Sequence, residues 1–294
     1  MARTDDKRRF GDRKEGRWLR SLNPFYTIIP YIMIERSDAM NYFQDRVDMG
    51  VPDRWMRQKR AEGFKGLGFL HLFVAAYVRT IAEMPGINRF INGRRIYARN
   101  NIEINMAVKR SFALDAPETT IKVVLDRTDT IFDVYRKFTA KTEEIKANIG
   151  DNNTEQAAAA FTKLPRFLLR FGMWCVRVLD YFGLLPQRLL DASPFHGSMI
   201  ISDLGSLGIP PIYHHLYNLG NLPVFITFGA KYKVNEINRN GELEEHKYVD
   251  FTAVTDERVC DGFYYATAFK RIKFYLKNPQ LLELPPERVE QDVF

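Results

Sequence analysis

Apolar positions change their spacing several times along this chain, and each spacing predicts an element. Residues 25–34 are almost wholly apolar, rich in aromatic and β-branched side chains and free of charge, as a buried strand would be. Ser37 or Asp38 then stands where a helix cap belongs, and a helix is expected from there to about Met49. Residues 50–66 are charged and interrupted by Pro52, Gly63 and Gly66. From Leu67 to Met84 an apolar helix is predicted, stopped by Pro85-Gly86. Phe90-Ile91 and Ile96-Tyr97 flank Asn92-Gly93, a hairpin signal because both turn residues tolerate positive φ. Ile102, Ile104, Met106 and Val108 alternate with polar neighbours, which gives a half-buried strand.

Thr120 to Leu125 repeats the β-branched composition, and Ile131 to Ile149 has helical spacing that stops at Gly150. The run Ala157 to Ala160 is good helix former. Met199 to Ile201, Val224 to Phe228 and two strands around the Asn240-Gly241 turn make a second β-rich half. A final helix follows Gly262 and ends at Lys277. Strands and helices do not alternate regularly, so the expected fold is an α/β (α+β) two-layer sandwich in one domain, not a doubly wound sheet.

Composition narrows the class without naming a function. With 294 residues, 46% apolar and 27% charged, the chain can bury a substantial core and reads as an ordinary soluble globular protein. Cys175 and Cys260 are too few for a disulfide framework or a zinc site, and they point to a reducing, cytoplasmic compartment. No His, Cys, Asp and Glu spacing reads as a metal site. The charged N-terminus does not read as a secretory signal, and no apolar stretch approaches the ~20 residues a membrane span needs. The net charge is +7, and residues 1–20 hold eight Lys or Arg against four Asp or Glu. Elsewhere only Arg54, Arg57, Lys59 and Arg60 cluster, with no nucleic-acid-binding signature beside them. Nucleic acid is therefore not an expected partner.

The segment from Phe161 to Leu190 stands apart. Arg166, Arg170 and Arg177 fall on one helical face with Asp180 at the end of that stripe, and Phe167, Phe171, Trp174 and Phe182 lie opposite. Such a helix fits an anionic membrane surface, with the basic arm as a second contact. It equally fits a subunit contact with its arginines snorkelling to the rim.

Residues 256–263, D-E-R-V-C-D-G-F, resemble the active-site segment of chloramphenicol acetyltransferases and dihydrolipoyl acyltransferases, where a histidine stands four residues before the aspartate. Leu222 to Tyr232 is similar to a strand of the former, and Ser198 to Gly208 to a turn of the latter. Trp18-Leu19-Arg20 is similar to the acetyltransferases' opening segment, and the helix, Pro-Gly, Asn pattern of residues 69–88 matches in kind. The resemblance spans about residues 17–284 and implies a CoA-dependent acyltransferase fold. It further implies acyl-CoA as substrate, no metal, and a homotrimer whose active sites lie between subunits.

Carried onto this sequence, the resemblance places Glu257 at the general-base position, so the usual histidine is missing. Asp261 takes the structural aspartate that pairs with an arginine, here Arg20. Ser202 takes the hydroxyl that stabilises the tetrahedral oxyanion, and Asp203 stands where the family has asparagine. A carboxylate there would repel a developing oxyanion. Three roles are open to Glu257: an ion pair with a neighbouring cation such as Arg258, a working base, or a position bypassed by a histidine from elsewhere. His214, His215 and His196 are the histidine and acceptor-channel candidates, while His71 reads as a core residue and His246 as solvent-facing. Basic residues would then attract CoA phosphates or lipid headgroups.

The expected organisation is a flexible basic arm at 1–20, one catalytic domain at 21–284 with an apolar helical insertion at 155–195, and a tail at 285–294. A lipoyl domain does not fit in this length, so a stand-alone trimer is expected. Two functions follow from the resemblance: an acyltransferase acting on a thiol or hydroxyl acceptor, or a catalytically inactive trimeric scaffold or binding module. Either is expected in the cytoplasm, with peripheral membrane contact through 160–190.

Overall fold

The computed structural model describes residues 8–109, 118–147 and 164–293. Its centre is a six-stranded mixed sheet in the order β2-β9-β8-β7-β5-β6. These are β2 (Met40–Asp48), β5 (Ile102–Lys109), β6 (Glu118–Leu125), β7 (Met199–Asp203), β8 (Val224–Ile237) and β9 (Leu243–Asp256). β7 runs parallel to both neighbours, and the other pairs are antiparallel. A small sheet, β1-β4-β3, is formed by β1 (Gly16–Trp18), β3 (Arg89–Asn92) and β4 (Arg95–Arg99).

Helices α3 (Phe69–Glu83), α4 (Ile131–Ala147) and α7 (Gly262–Lys277) cover one face of the large sheet. Strand periodicity aims Ile201, Ile226 and Ala253 at these helices, and Phe73 meets Phe228 and Phe251 there at ring distances of 4.7 and 5.7 Å. Ile200, Phe225 and Val254 point to the second face, where Leu216 and Leu222 cover them. Burial on both faces explains why residues 224–228 are apolar at every position but the buried Thr227.

Two of the expected elements are overturned, and one element was not expected. Residues 24–32 form helix α1 (Pro24–Ile32), not a strand. The Asn23 side chain accepts from the Phe25 amide at 2.9 Å, and Pro24 opens the first turn, so local capping overrides β-propensity. The run is also not buried, since Phe25 is 67% exposed and Ile32 68%. Residues 40–48 form strand β2, not a helix, because they pair with β9 from Met40↔Asp256 to Asp48↔Tyr248. Residues 50–61, which show no clear period, form helix α2 (Gly50–Ala61). Pro52 is tolerated there because the first turn needs no amide donor.

The hairpin is present, but its turn is Gly93-Arg94, both at positive φ (55° and 59°), with Asn92 paired to Arg95. A side chain at residue 93 would meet the Tyr181 carbonyl at 2.7 Å. The stretch expected to be a flexible arm contains β1, and Arg13 within it is buried against Glu15 (3.0 Å) and Asp180 (3.1 Å). The described part of the 155–195 segment holds α5 (Arg166–Tyr181) and α6 (Gln187–Ala192). The Ala157–Ala160 run lies outside the described residues. Among the described residues no helix is long and apolar enough to cross a membrane.

His71 is half-buried in α3 with its Nδ1 accepting from the Gly68 amide at 3.1 Å. Burial pulls its pKa down from 6.5 to about 4, outweighing that hydrogen bond. The unfolded chain therefore binds a proton that the fold refuses. Stability should be full above pH 6.5 and fall as the pH drops toward 4, by about 3 kcal/mol at most. Urea unfolding at neutral and at mildly acidic pH measures this slope, and His71→Gln should flatten it.

Candidate active site

The loop between β9 and α7 is built on a buried ion cluster. Arg258 clasps Asp256 through Nε to Oδ1 (2.8 Å) and Nη2 to Oδ2 (2.7 Å), and Arg36 approaches the same Oδ2 at 3.3 Å. All three residues are buried. Arg36 also donates to the carbonyls of Tyr217 and Gly220, and Arg258 to that of Ile34 (3.2 Å). Burial pulls the Arg36 pKa down, against the opposing charge of Asp256. Two guanidiniums on one carboxylate thus lock the end of β9 to the segments at 33–36 and 217–220.

Glu257 comes next, with its amide bonded to the Ala39 carbonyl at 2.8 Å. Its half-buried carboxylate makes no hydrogen bond or ion pair among the described residues. Arg258, expected as its cation, is committed to Asp256 instead. The backbone of Glu257 is held rigidly while its carboxylate is left free.

Asp261 does not meet Arg20. It caps α7 by accepting from the Tyr264 amide (2.8 Å) and takes the Tyr26 hydroxyl at 3.2 Å, a bond that raises the Tyr26 pKa. Arg20 pairs with Asp12 (3.2 Å) and lies over the Trp18 ring. A cavity of about 250 Å³ beside Asp261 is lined by Asn23, Tyr26, Arg89, Cys260 and Tyr264. Arg89 is itself clasped by Asp292 at 2.8 and 2.6 Å. Burial pushes the Cys260 thiol well above its ordinary pKa, which disfavours its thiolate.

Ser202 lies near the end of β7 on the second face of the sheet, half-buried, its hydroxyl without a hydrogen-bond partner among the described residues. Asp203 spends its carboxylate on its own turn, accepting from the Gly205 amide at 2.9 Å. Ser202 pairs with Thr227, and Thr227 with Thr252, while Glu257 lies beyond the far end of β9. Within one chain the two are therefore about 16 Å apart along the strands and about 10 Å across them.

The histidines fall in three places. His214 stacks on Phe225 at 4.2 Å, within the 209–217 segment that crosses the second face, and the Thr252 hydroxyl ties that segment down through the Ile212 carbonyl. His215 is exposed and meets Tyr217 edge-on. His196 is buried, its Nδ1 2.8 Å from the Ser193 hydroxyl and its Nε2 at ion-pair distance (3.3 Å) from Asp180 but outside hydrogen-bond geometry. Burial pushes the Asp180 pKa up, but contacts with His196, Arg13 and Asn92 outweigh it and hold the carboxylate below its ordinary range. His196 thus belongs to a buried polar network at the foot of α5. Among the described residues no group of His, Cys, Asp and Glu could hold a metal ion.

The sequence pattern did not reveal the Arg36–Asp256–Arg258 cluster. Asp256 stood inside the motif, but its partner Arg36 lies 220 residues away. A carboxylate at the end of an apolar, β-branched strand was the one available signal of a buried charge.

No protein-family model matches the sequence, and no curated protein matches it. Solved structures do match in fold. The cubic core of a pyruvate dehydrogenase multienzyme complex is 14% identical over 94% of this chain and 96% of its own, with a TM-score of 0.58. A probable dihydrolipoamide acetyltransferase from Listeria monocytogenes is 15% identical over 87% and 93%, with a TM-score of 0.55. The Azotobacter vinelandii dihydrolipoamide acetyltransferase, investigated for a serine, a histidine and an asparagine in its catalytic mechanism, is 15% identical over 94% and 96%, also at 0.55. The chain has the α/β fold of dihydrolipoamide acetyltransferase catalytic cores, as the resemblance implied.

Proposed function

We propose that this protein is a CoA-dependent acyltransferase that works as a homotrimer, with each site assembled from Glu257 of one subunit and Ser202 of the next. The observation that carries the reading is the rigidly mounted, unpartnered Glu257 carboxylate next to the Arg36–Asp256–Arg258 cluster. Ser202 is equally free of partners among the described residues, and the two are too far apart in one chain to act on one substrate, so a shared site needs two copies. The histidine and asparagine investigated in the Azotobacter enzyme are four residues apart, as Glu257 and Asp261 are here.

In this mechanism Glu257 takes the proton of a thiol or hydroxyl acceptor, which attacks the thioester carbonyl of acyl-CoA. The Ser202 hydroxyl donates to the resulting oxyanion. Collapse expels the CoA thiolate, which recovers the proton from Glu257. Asp203 does not oppose this chemistry, because its carboxylate is turned into the 203–205 turn.

The inactive scaffold is the second reading, favoured by the carboxylate itself: an ordinary glutamate is a weak base for a thiol at neutral pH. Acyl-CoA:thiol transfer by wild type and Ser202→Ala decides between them. Losing the oxyanion donor should lower the rate by roughly a hundred- to a thousandfold. A wild type that neither transfers acyl groups nor binds CoA by calorimetry leaves the scaffold.

A further inference from the structure

We infer that α1 and α5 together form a docking face for an anionic membrane surface. Helix α5 is fastened by polar contacts at its C-terminal end. There buried Asp180 receives Arg13 at 3.1 Å and Asn92 at 2.8 Å. Its aromatic side takes no part in that attachment: Phe167, Phe171 and Trp174 are 69%, 61% and 58% exposed. At 100° per residue, Arg166, Arg170 and Arg177 fall within about 40° of one another, and the aromatic arc is centred about 90° from them, beside the arginines rather than opposite as expected. Helix α1, which carries no charge, adds exposed Phe25, Ile28 and Ile32.

The two helices meet across the Gly93-Arg94 turn. The Arg94 guanidinium lies 5.5 Å from the centre of the Tyr31 ring, and the Tyr181 carbonyl packs against Gly93. A crevice of about 260 Å³ between them is lined by Pro30, Ile34, Arg94, Arg177 and Tyr181. Exposed apolar side chains of α1 and α5 thus stand on either side of a crevice whose charged lining is four arginines and Glu35.

Charge selects the occupant. The one acid of α5, Asp180, is buried and paired, so the exposed part of the helix is purely cationic. A second copy meeting this face with its own in a two-fold contact would set arginine against arginine. An anionic bilayer supplies both the apolar medium for the rings and the counter-charge for the arginines. This inference stands independently of the acyltransferase reading, because none of the exposed residues it rests on acts in the proposed site, although Arg36 and Arg258 also line the crevice.

The test is cosedimentation of the full chain with phosphatidylglycerol-containing and with pure phosphatidylcholine vesicles, while Trp174 emission is followed. Binding to the anionic vesicles alone, with a blue shift, is expected. Replacing Arg166, Arg170 and Arg177 together by glutamine should weaken it on the order of a hundredfold, about fivefold per arginine. Phe171→Glu should remove it while the unfolding transition stays at its wild-type position. No binding to anionic vesicles, or equal binding to both kinds, overturns the proposal. So does Phe171→Glu lowering the assembled mass in light scattering without lipid, since the face would then belong to another copy.

Discussion

Replacing Asp256 with asparagine is expected to destabilise the fold by about 3–5 kcal/mol, because it strands two buried guanidiniums on a neutral amide. Arg36 and Arg258 have side chains only 4% and 5% exposed, so water cannot take over the role of the carboxylate. For a chain of this size the loss corresponds to roughly five to eight degrees in Tm. Asp261→Asn provides the contrast. Asparagine caps a helix about as well as aspartate, so that variant should stay within about 0.5 kcal/mol of wild type. Denaturant unfolding of the two variants side by side checks both claims. Equal stabilities would mean that the cluster does not hold the end of β9.

Glu257→Gln is expected to lower acyl transfer by roughly a hundred- to ten-thousandfold, the range for loss of a positioned general base. Glutamine keeps the size of the side chain, and the backbone is fixed by Ala39 and the cluster below it, so folding should be unaffected. Glu257→His should retain transfer, and raise it near neutral pH, since imidazole titrates at about 6.5. The pH profile separates a true base from a bystander: its acidic limb should move with the residue at 257. If Glu257→Gln transfers at the wild-type rate, the glutamate is not the base.

Much of this architecture was legible in the chain. The 67–84 helix, the 102–108 strand and the strands around Asn240-Gly241 follow from period and turn chemistry alone. So does α7, because Asp261 caps it locally and its buried side chains follow helical spacing. The loop D-E-R-V-C-D-G-F closes β9 and opens α7, but the arginine pairing within it differs from the expected one. Asp261 was expected to hold an arginine, yet the buried ion cluster gathers on Asp256, whose partner Arg36 comes from the other end of the chain.

The same division explains the missed elements. The sequence by itself determined whatever depends on near neighbours: the apolar helix α3, the helical spacing of α4, the alternation in β5, and the presence, though not the register, of the turn between β3 and β4. Only the tertiary structure decided that residues 40–48 are a strand, since the ladder they complete belongs to β9, some two hundred residues later. It also decided that the apolar run at 25–32 lies on the surface, and that Glu257 stands free while its neighbours are locked in ion pairs. Ladder hydrogen bonds and buried charge pairs are made between residues distant along the chain, and a pattern of local hydropathy carries no record of which distant residue will arrive.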